Sequence, residues 1–229
     1  MSGKLILVRH GETTSNVQKR LDTALPGAAL TDFGARQAVR FSLERPGAKP
    51  TALYSSVARR ARQTAELIGS VWGIDSVAVE GVHEVQVGPE LEDQASRSAH
   101  AAFAEVIGKW VDGDEDAKLS GGESLSDVHA RYLPVVDKLV QRHLVGADSA
   151  EVYLVSHGAV MRMIASKLTG LMMDFGERER LPNTGTIELA YGDDGSWTCL
   201  AWGNLTQPFE LAADADADHV PPEDIDPMG

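Results

Sequence analysis

The sequence predicts an α/β protein, a three-layer α/β/α sandwich whose central sheet is mostly parallel with an antiparallel edge strand. Two patterns lead to this prediction. Short apolar runs alternate with longer amphipathic stripes, which is typical of strands and helices that alternate along a parallel sheet. Later in the chain, two apolar runs are separated only by the turn sequence Gly-Asp-Asp-Gly at 192–195, which is typical of a hairpin.

The predicted elements follow one another as strand–helix units. Strands are expected at residues 5–8, 51–54, 77–79 and 152–155, and the two hairpin strands at 186–190 and 197–201. Apolar residues at helical spacing predict helices within 33–43, 57–72, 103–110, 125–139 and 160–168. Pro134 lies inside the fourth of these helical stripes, where it predicts a kink or a break.

The length of the chain and a change in its composition define the domain organisation. A chain of 229 residues can bury one good core, so we assign residues 1–211 to a single domain. From Ala212 onward, Ala alternates with Asp and the sequence then becomes rich in Pro and acidic residues. Because such a segment has little apolar surface to bury, we predict that residues 212–229 form an acidic, disordered tail.

The charge and the cysteine content limit the partners and the compartment. A net charge of −13 argues against nucleic acid, whereas a small phosphorylated metabolite needs only a local cluster of cations. Cys199 is the only cysteine, and no apolar run approaches the length of a membrane span. We therefore expect a cytoplasmic protein without nucleic-acid or membrane partners, and the sequence leaves open whether it forms a homodimer.

Chemically reactive side chains follow the predicted strands at the point where each strand ends. Arg9-His10-Gly11 follows the first strand, an arginine pair at 59–60 the second, Glu84 the third, and Ser156-His157-Gly158 the fourth. The carboxyl ends of parallel strands share one edge of the sheet, and ligands bind there. Two imidazoles, several guanidinium groups and one carboxyl group are thus expected in one pocket, and guanidinium groups suit a phosphate.

The motifs in this order resemble those of the histidine phosphatase superfamily, the phosphoglycerate mutase-like proteins. The resemblance covers almost the whole predicted domain. It is carried by residues 7–13 with Asn16, by 30–31, 34 and 37–38, by 54–56, 60–61 and 63–65, by 83–84, by 121–124, by 155–158 and by 183–185.

The resemblance implies a phosphohistidine mechanism. His10 would be the nucleophile that attacks phosphorus, and Glu84 would protonate the leaving oxygen and later accept a proton from water. Arg9, Arg60 and His157 would complete the catalytic set by offsetting the charge on the phosphoryl oxygens. The phosphate-binding residues implied are Arg9, Asn16, Arg60, His157 and Gly158.

The chemistry of these groups adds expectations about their protonation. His10 can attack only through an unprotonated ring nitrogen, so its other nitrogen must hold a proton in a fixed hydrogen bond. His157 is more useful charged, and a phosphate dianion beside it would raise its pKa. Glu84 must begin protonated, so we expect its pKa to be raised. We expect no metal ion and no cofactor, because the histidines lack metal-ligand spacing.

Some assignments have competing interpretations. Arg59, Arg60 and Arg62 compete for one role, and the Arg-Ala pairing at 60–61 favours Arg60. Asn16 is either a phosphate ligand or an ordinary helix cap. Glu123 either lines the rim of the pocket or is an acidic residue at a helix N-terminus.

The cations available for a substrate favour a phosphatase. Between Glu84 and Gly121 the only basic residues are Arg97, Lys109 and Lys118, whereas a phosphoglycerate mutase must hold a carboxylate and a second phosphate. The loop at 21–30 also does not match the mutase substrate loop closely. We therefore predict a phosphomonoester hydrolase acting on small phosphorylated metabolites. The alternatives are a cofactor-dependent phosphoglycerate mutase and a non-catalytic module that binds phosphorylated ligands.

Overall fold

The computed structural model describes residues 3–209, and these form one seven-stranded mixed sheet with helices on both faces. The strands lie in the order β3-β2-β4-β1-β5-β6-β7. Their bounds are β1 Gly3–Arg9, β2 Pro50–Ser56, β3 Ser76–Val79, β4 Glu151–Ser156, β5 Thr186–Tyr191, β6 Trp197–Trp202 and β7 Leu205–Thr206. Strands β1 to β4 are parallel, and β5, β6 and β7 continue the sheet in antiparallel pairs. The predicted fold class is confirmed.

Side chains of the central strands alternate between two cores, which is why the domain has three layers. Leu5 and Leu7 of β1 belong to one apolar cluster, and Ile6 and Val8 belong to the other. Successive side chains of a strand point to opposite faces, so an unbroken apolar run is what a strand covered on both sides requires. The sequence pattern of this run therefore predicted its environment correctly.

Seven helices cover these faces in the part of the chain that the structure describes. They are α1 Thr14–Val17, α2 Asp32–Leu43, α3 Arg59–Trp72, α4 Arg97–Val111, α5 Leu125–His143, α6 Gly158–Thr169 and α7 Met173–Arg178. Helix α5 continues through Pro134, so the break predicted there is wrong. Proline has no N–H group, so the Ala130 carbonyl loses the helical hydrogen bond that residue 134 would otherwise donate. Pro134 and Ala130 both lie on the exposed face of α5, where water can bind this carbonyl instead.

The hairpin forms as predicted but is not quite the edge of the sheet. Strand β5 pairs with both β1 and β6, and the two-residue strand β7 lies outside β6. The tail predicted from Ala212 onward lies outside the described residues. No helix within residues 3–209 is both long enough and apolar enough to span a membrane.

Candidate active site

The candidate site begins where β1 ends, because the chain there makes a close contact with α2. A Cβ atom on Gly11 would lie 2.5 Å from the Gly34 carbonyl oxygen, and one on Gly34 would lie 2.0 Å from the Glu12 carbonyl oxygen. Neither position has room for a side chain. The Gln37 Oε1 atom accepts a hydrogen bond from the Glu12 N–H at 2.8 Å and holds this crossing together. The turn after β1 is thereby fixed, with His10 at its start.

Helix α1 continues from this turn and brings Asn16 to the pocket. Thr13 caps the helix, and the Asn16 Oδ1 atom accepts a hydrogen bond from the Thr13 N–H at 3.0 Å, so the two residues form a capping box. Asn16 also lines a narrow pocket together with His10, Arg60 and Glu84. The structure thus shows the capping role, and the position of Asn16 is compatible with phosphate binding.

The hydrogen bonds of the His10 ring define its tautomer. Its Nδ1 atom lies 2.7 Å from the Gly11 carbonyl oxygen, which can only accept, so Nδ1 carries the proton. Its Nε2 atom accepts a hydrogen bond at 3.1 Å from the Arg60 Nε–H group, so Nε2 is unprotonated. His10 therefore presents the lone pair that a nucleophile needs.

Arg60 connects the two imidazoles. Its Nε–H group also donates to the His157 Nδ1 atom at 3.2 Å, and the two rings have centroids 5.3 Å apart. The Arg60 side chain is buried, whereas Arg59 and Arg62 are exposed. Of these three arginines, Arg60 is the one that contacts the imidazoles, and its role in binding phosphate stays a prediction.

His157 lies where β4 passes into α6. It is the N-cap residue of α6, and Gly158 is the first helical residue, so the backbone of both lies at the end of the helix that favours anions. The His157 ring is fully buried, and its Nε2 atom has no hydrogen-bond partner among residues 3–209. Because Nδ1 accepts from Arg60, Nε2 must carry the proton, which leaves a buried donor for a ligand.

The loop before β5 supports the backbone of Arg9 and His10. The Arg9 Nη1 atom donates to the Leu181 carbonyl at 2.7 Å, and the Asn183 Nδ2 atom donates to the His10 carbonyl at 3.1 Å. Thr184 has a positive φ of 60° and its N–H donates to the Arg9 carbonyl at 3.0 Å. Arg9 is buried, which places a fixed positive charge beside the pocket.

Burial and positive charge keep both histidines neutral in the unliganded protein. The pKa of His10 lies well below its usual value, first because of burial and then because of the charges of Arg60 and Arg9. The pKa of His157 is also well below its usual value, through burial and then through Arg60 and His10. The expectation that a phosphate dianion beside His157 raises its pKa stays a prediction.

Glu84 reaches the site from a loop rather than from the end of a strand. Its Oε1 atom accepts hydrogen bonds from the Val85 and Val160 N–H groups, each at 2.9 Å, and its Oε2 atom accepts one from Ala159 at 3.2 Å. The carboxyl group is buried against the first turn of α6. Burial raises its pKa, although these backbone donors and Arg60 counteract the rise. The direction is the one expected for a proton donor.

One acidic residue of the site, Asp22, had no signal in the sequence. Asp22 lines the pocket, and its Oδ2 atom lies 3.7 Å from Arg60 Nη1. Glu123, for which two interpretations were open, pairs with Arg131 through two contacts of 2.7 and 2.8 Å. Within residues 3–209, no group of three or more His, Cys, Asp or Glu side chains is arranged to hold a metal ion.

Comparison with known proteins identifies the family of this chain. The model of the histidine phosphatase superfamily (branch 1) matches residues 5–205. The chain belongs to the histidine phosphatase superfamily. Among its relatives in this superfamily is the probable phosphoglycerate mutase GpmB of Yersinia pestis (strain Pestoides F), which is 29% identical over 199 residues, covering 87% of this chain and 89% of GpmB.

Solved structures of histidine phosphatase type also resemble this chain. The mycobacterial glucosyl-3-phosphoglycerate phosphatase Rv2419c, solved as a complex with VO3, is 26% identical with a TM-score of 0.75, covering 88% of this chain and 99% of that one. A second structure, described as mycobacterial hydrolase 1, is 27% identical with a TM-score of 0.75, covering 89% and 99% of the two chains. The superfamily thus includes relatives named as phosphatases and as mutases.

Proposed function

We propose that this protein hydrolyses phosphomonoesters of small metabolites through a phosphohistidine at His10, without a metal ion. The observation that carries the proposal is the contact of one Arg60 N–H group with both imidazoles, which leaves the His10 Nε2 lone pair unprotonated in a positively charged pocket. Two buried donors, Arg60 Nη1 and His157 Nε2, have no hydrogen-bond partner within residues 3–209. A phosphoryl group would satisfy both, and leaving them unsatisfied costs about 1–3 kcal/mol each.

The proposed reaction has two steps. The His10 Nε2 atom forms a bond to phosphorus while the ester P–O bond breaks, and Glu84 gives its proton to the departing alcohol oxygen. Water then attacks the phosphohistidine, Glu84 takes one proton from it, and inorganic phosphate leaves. Arg9, Arg60 and His157 offset the charge on the phosphoryl oxygens, with Asn16 and the Gly158 N–H as uncharged donors.

The charges around the pocket favour a phosphatase over a mutase. Lys109 is paired with Glu105 at 2.9 Å and Lys118 with Asp127 at 3.1 Å, so both lysines have acidic partners on the surface. Arg20 also lines the pocket but is paired with Asp93 at 2.6 Å, and Asp22 adds a negative charge to the same lining. A second anionic group on the substrate would be repelled by the Asp22 carboxylate. An uncharged leaving alcohol therefore fits the pocket better than the carboxylate-bearing leaving group of a phosphoglycerate.

A cofactor-dependent phosphoglycerate mutase is the second candidate, because a relative of 29% identity is named as a probable enzyme of that kind. The test supplies 3-phosphoglycerate with a trace of 2,3-bisphosphoglycerate and follows both products. Accumulation of free phosphate supports the phosphatase, and accumulation of 2-phosphoglycerate supports the mutase. Activity that survives a chelator supports the proposed independence of a metal ion.

The phosphohistidine itself is tested by trapping. The wild-type protein, mixed with a reactive phosphoester and quenched in alkali, should carry phosphate on nitrogen at His10. The His10→Ala variant should carry none and should lose turnover, whereas a control His143→Ala variant should keep both. Turnover without a phosphoenzyme would overturn the mechanism, and binding of phosphate esters with neither turnover nor a phosphoenzyme would indicate a binding module.

A further inference from the structure

Arg131, on helix α5, contacts the loop that carries Glu84 at several points. Its Nη1 atom donates to the carbonyl oxygens of Gly81 and His83 at 2.8 and 2.9 Å, and its Nη2 atom donates to the carbonyl oxygen of Glu84 at 3.1 Å. The loop follows β3, the outermost strand of the parallel half of the sheet, and has no regular backbone pairing of its own between 80 and 87. One guanidinium group therefore supplies three of the hydrogen bonds that shape it.

Glu123 holds Arg131 in place and contacts the same loop. Its carboxylate binds Arg131 through two oxygens, and its Oε2 atom also accepts a hydrogen bond from the Gln86 N–H at 2.9 Å. Both side chains are mostly buried, with exposed fractions of 16% for Arg131 and 18% for Glu123. Gly122 lies so close that a Cβ atom there would be 2.8 Å from the Gln86 carbonyl oxygen. The ion pair and the loop thus form one closely packed unit.

The position of the Glu84 carboxyl group depends on this unit. Among the described residues, the hydrogen bonds to this carboxyl group come from backbone N–H groups, those of Val85, Ala159 and Val160. No other side chain among the described residues holds the carboxyl group by a hydrogen bond, so its place above α6 follows from where the loop puts the Glu84 backbone. A displacement of about 1 Å in such a group can lower a rate about 10²-fold.

We propose that the Arg131–Glu123 ion pair positions Glu84 as the proton donor, in a role that touches neither substrate nor phosphoryl group. The inference rests on the proposed phosphatase function. It predicts that loss of Arg131 acts chiefly through Glu84, and so affects phosphoenzyme formation most where the leaving oxygen needs the proton that Glu84 supplies.

The test compares two leaving groups. An alkyl phosphate such as glycerol 2-phosphate needs protonation of its leaving oxygen, whereas p-nitrophenyl phosphate releases a phenolate that needs little. Because Glu84 also takes a proton from water when the phosphohistidine from either ester is hydrolysed, the first step is measured by itself, as the single-turnover rate of phosphate transfer to His10. Arg131→Met should lower this rate by about 10²-fold or more with the alkyl ester and by less than about threefold with the aryl ester. Arg142→Met, an exposed arginine on the same helix, is the matched control and should change neither rate.

A double mutant separates positioning from a general structural effect. If Arg131 acts through Glu84, then Glu84→Gln and Glu84→Gln/Arg131→Met should hydrolyse the alkyl ester at nearly the same rate. Multiplied losses, or equal losses in phosphoenzyme formation from both esters, would overturn the inference. Glu123→Gln, which keeps the side-chain size, gives the same comparison should Arg131→Met fail to fold.

These outcomes are distinguishable from failure of the proposed function. If the wild-type protein hydrolyses both esters and the variants show no leaving-group dependence, only the positioning role is wrong. If the wild-type protein hydrolyses neither ester and traps no phosphate on His10, the phosphatase proposal fails and the positioning role fails with it.

Discussion

Acidification should destabilise the folded protein, because the two site histidines must stay neutral in it. The Arg60 Nε–H group donates to His10 Nε2 and His157 Nδ1, and neither nitrogen can accept once it is protonated. Both rings have pKa values well below the usual 6.5, chiefly through burial. A lowered pKa in the folded state contributes stability that is present above the unfolded value and is lost as the pH falls toward the folded value.

The size of the effect follows from the number of such rings. Between pH 7.5 and 5, an unfolded histidine with a pKa of 6.5 takes up its proton, so a lowered folded-state pKa contributes at most about 2 kcal/mol per ring and at most about 4 kcal/mol for both over this range. Glu84, with a raised pKa in the folded protein, acts with the opposite sign, but it is present in every variant compared. The difference between variants therefore isolates the two histidines.

Urea unfolding at pH 7.5 and pH 5 measures this difference. The wild-type protein should lose more unfolding free energy on acidification than His10→Ala or His157→Ala, by up to about 2 kcal/mol in each case. His143→Ala is the control, because His143 is only partly buried and its pKa is lowered less. If all four proteins lose the same free energy, the rings are already protonated in the folded protein at pH 5 and the assigned tautomers are wrong.

Three further predictions concern activity. Glu84→Gln should lower the single-turnover rate of phosphoenzyme formation from alkyl phosphates by about 10²–10⁴-fold and largely spare that from aryl phosphates, and equal losses in this step would rule out its role as the acid. Arg60→Met should lower kcat/KM on both ester types by about 10²–10³-fold. After burial, the charge of Arg60 is the next cause that lowers the imidazole pKa values of His10 and His157. The Arg60→Met substitution should therefore raise both pKa values in an NMR titration, and unchanged values would contradict the contacts described. Asp22→Asn removes a negative charge from the pocket, so kcat/KM for 3-phosphoglycerate should rise relative to glycerol 2-phosphate; an unchanged ratio would exclude Asp22 from specificity.

Three of the site residues could be located from the sequence because they follow neighbouring strands. His10, Arg60 and His157 come after β1, β2 and β4, which are adjacent and parallel, so the ends of these strands meet at one edge. Glu84 was different. It follows β3, but it reaches α6 only because the loop crosses back toward the centre of the sheet, as the 2.9 Å contact of Ser156 Oγ with the Val82 carbonyl shows.

Other residues could not have been assigned a role from the sequence. Asp22 is one acidic residue in a loop, and Arg131 is one basic residue on the polar side of an amphipathic helix. Nothing in their local sequence distinguishes them from solvated charges. Arg131 is separated from the loop residues that it contacts by at least 47 positions in the sequence. Only the packing of α5 against that loop creates this contact.

The sequence by itself determined the order of strands and helices, the faces they bury and the residues of the superfamily motifs, because apolar periodicity and turn residues act over short distances along the chain. The tertiary structure alone decided which histidine nitrogens are unprotonated, where Glu84 lies and which charges surround the pocket. Those properties depend on desolvation and on partners contributed by distant segments, such as the Arg60 N–H group that His10 and His157 share.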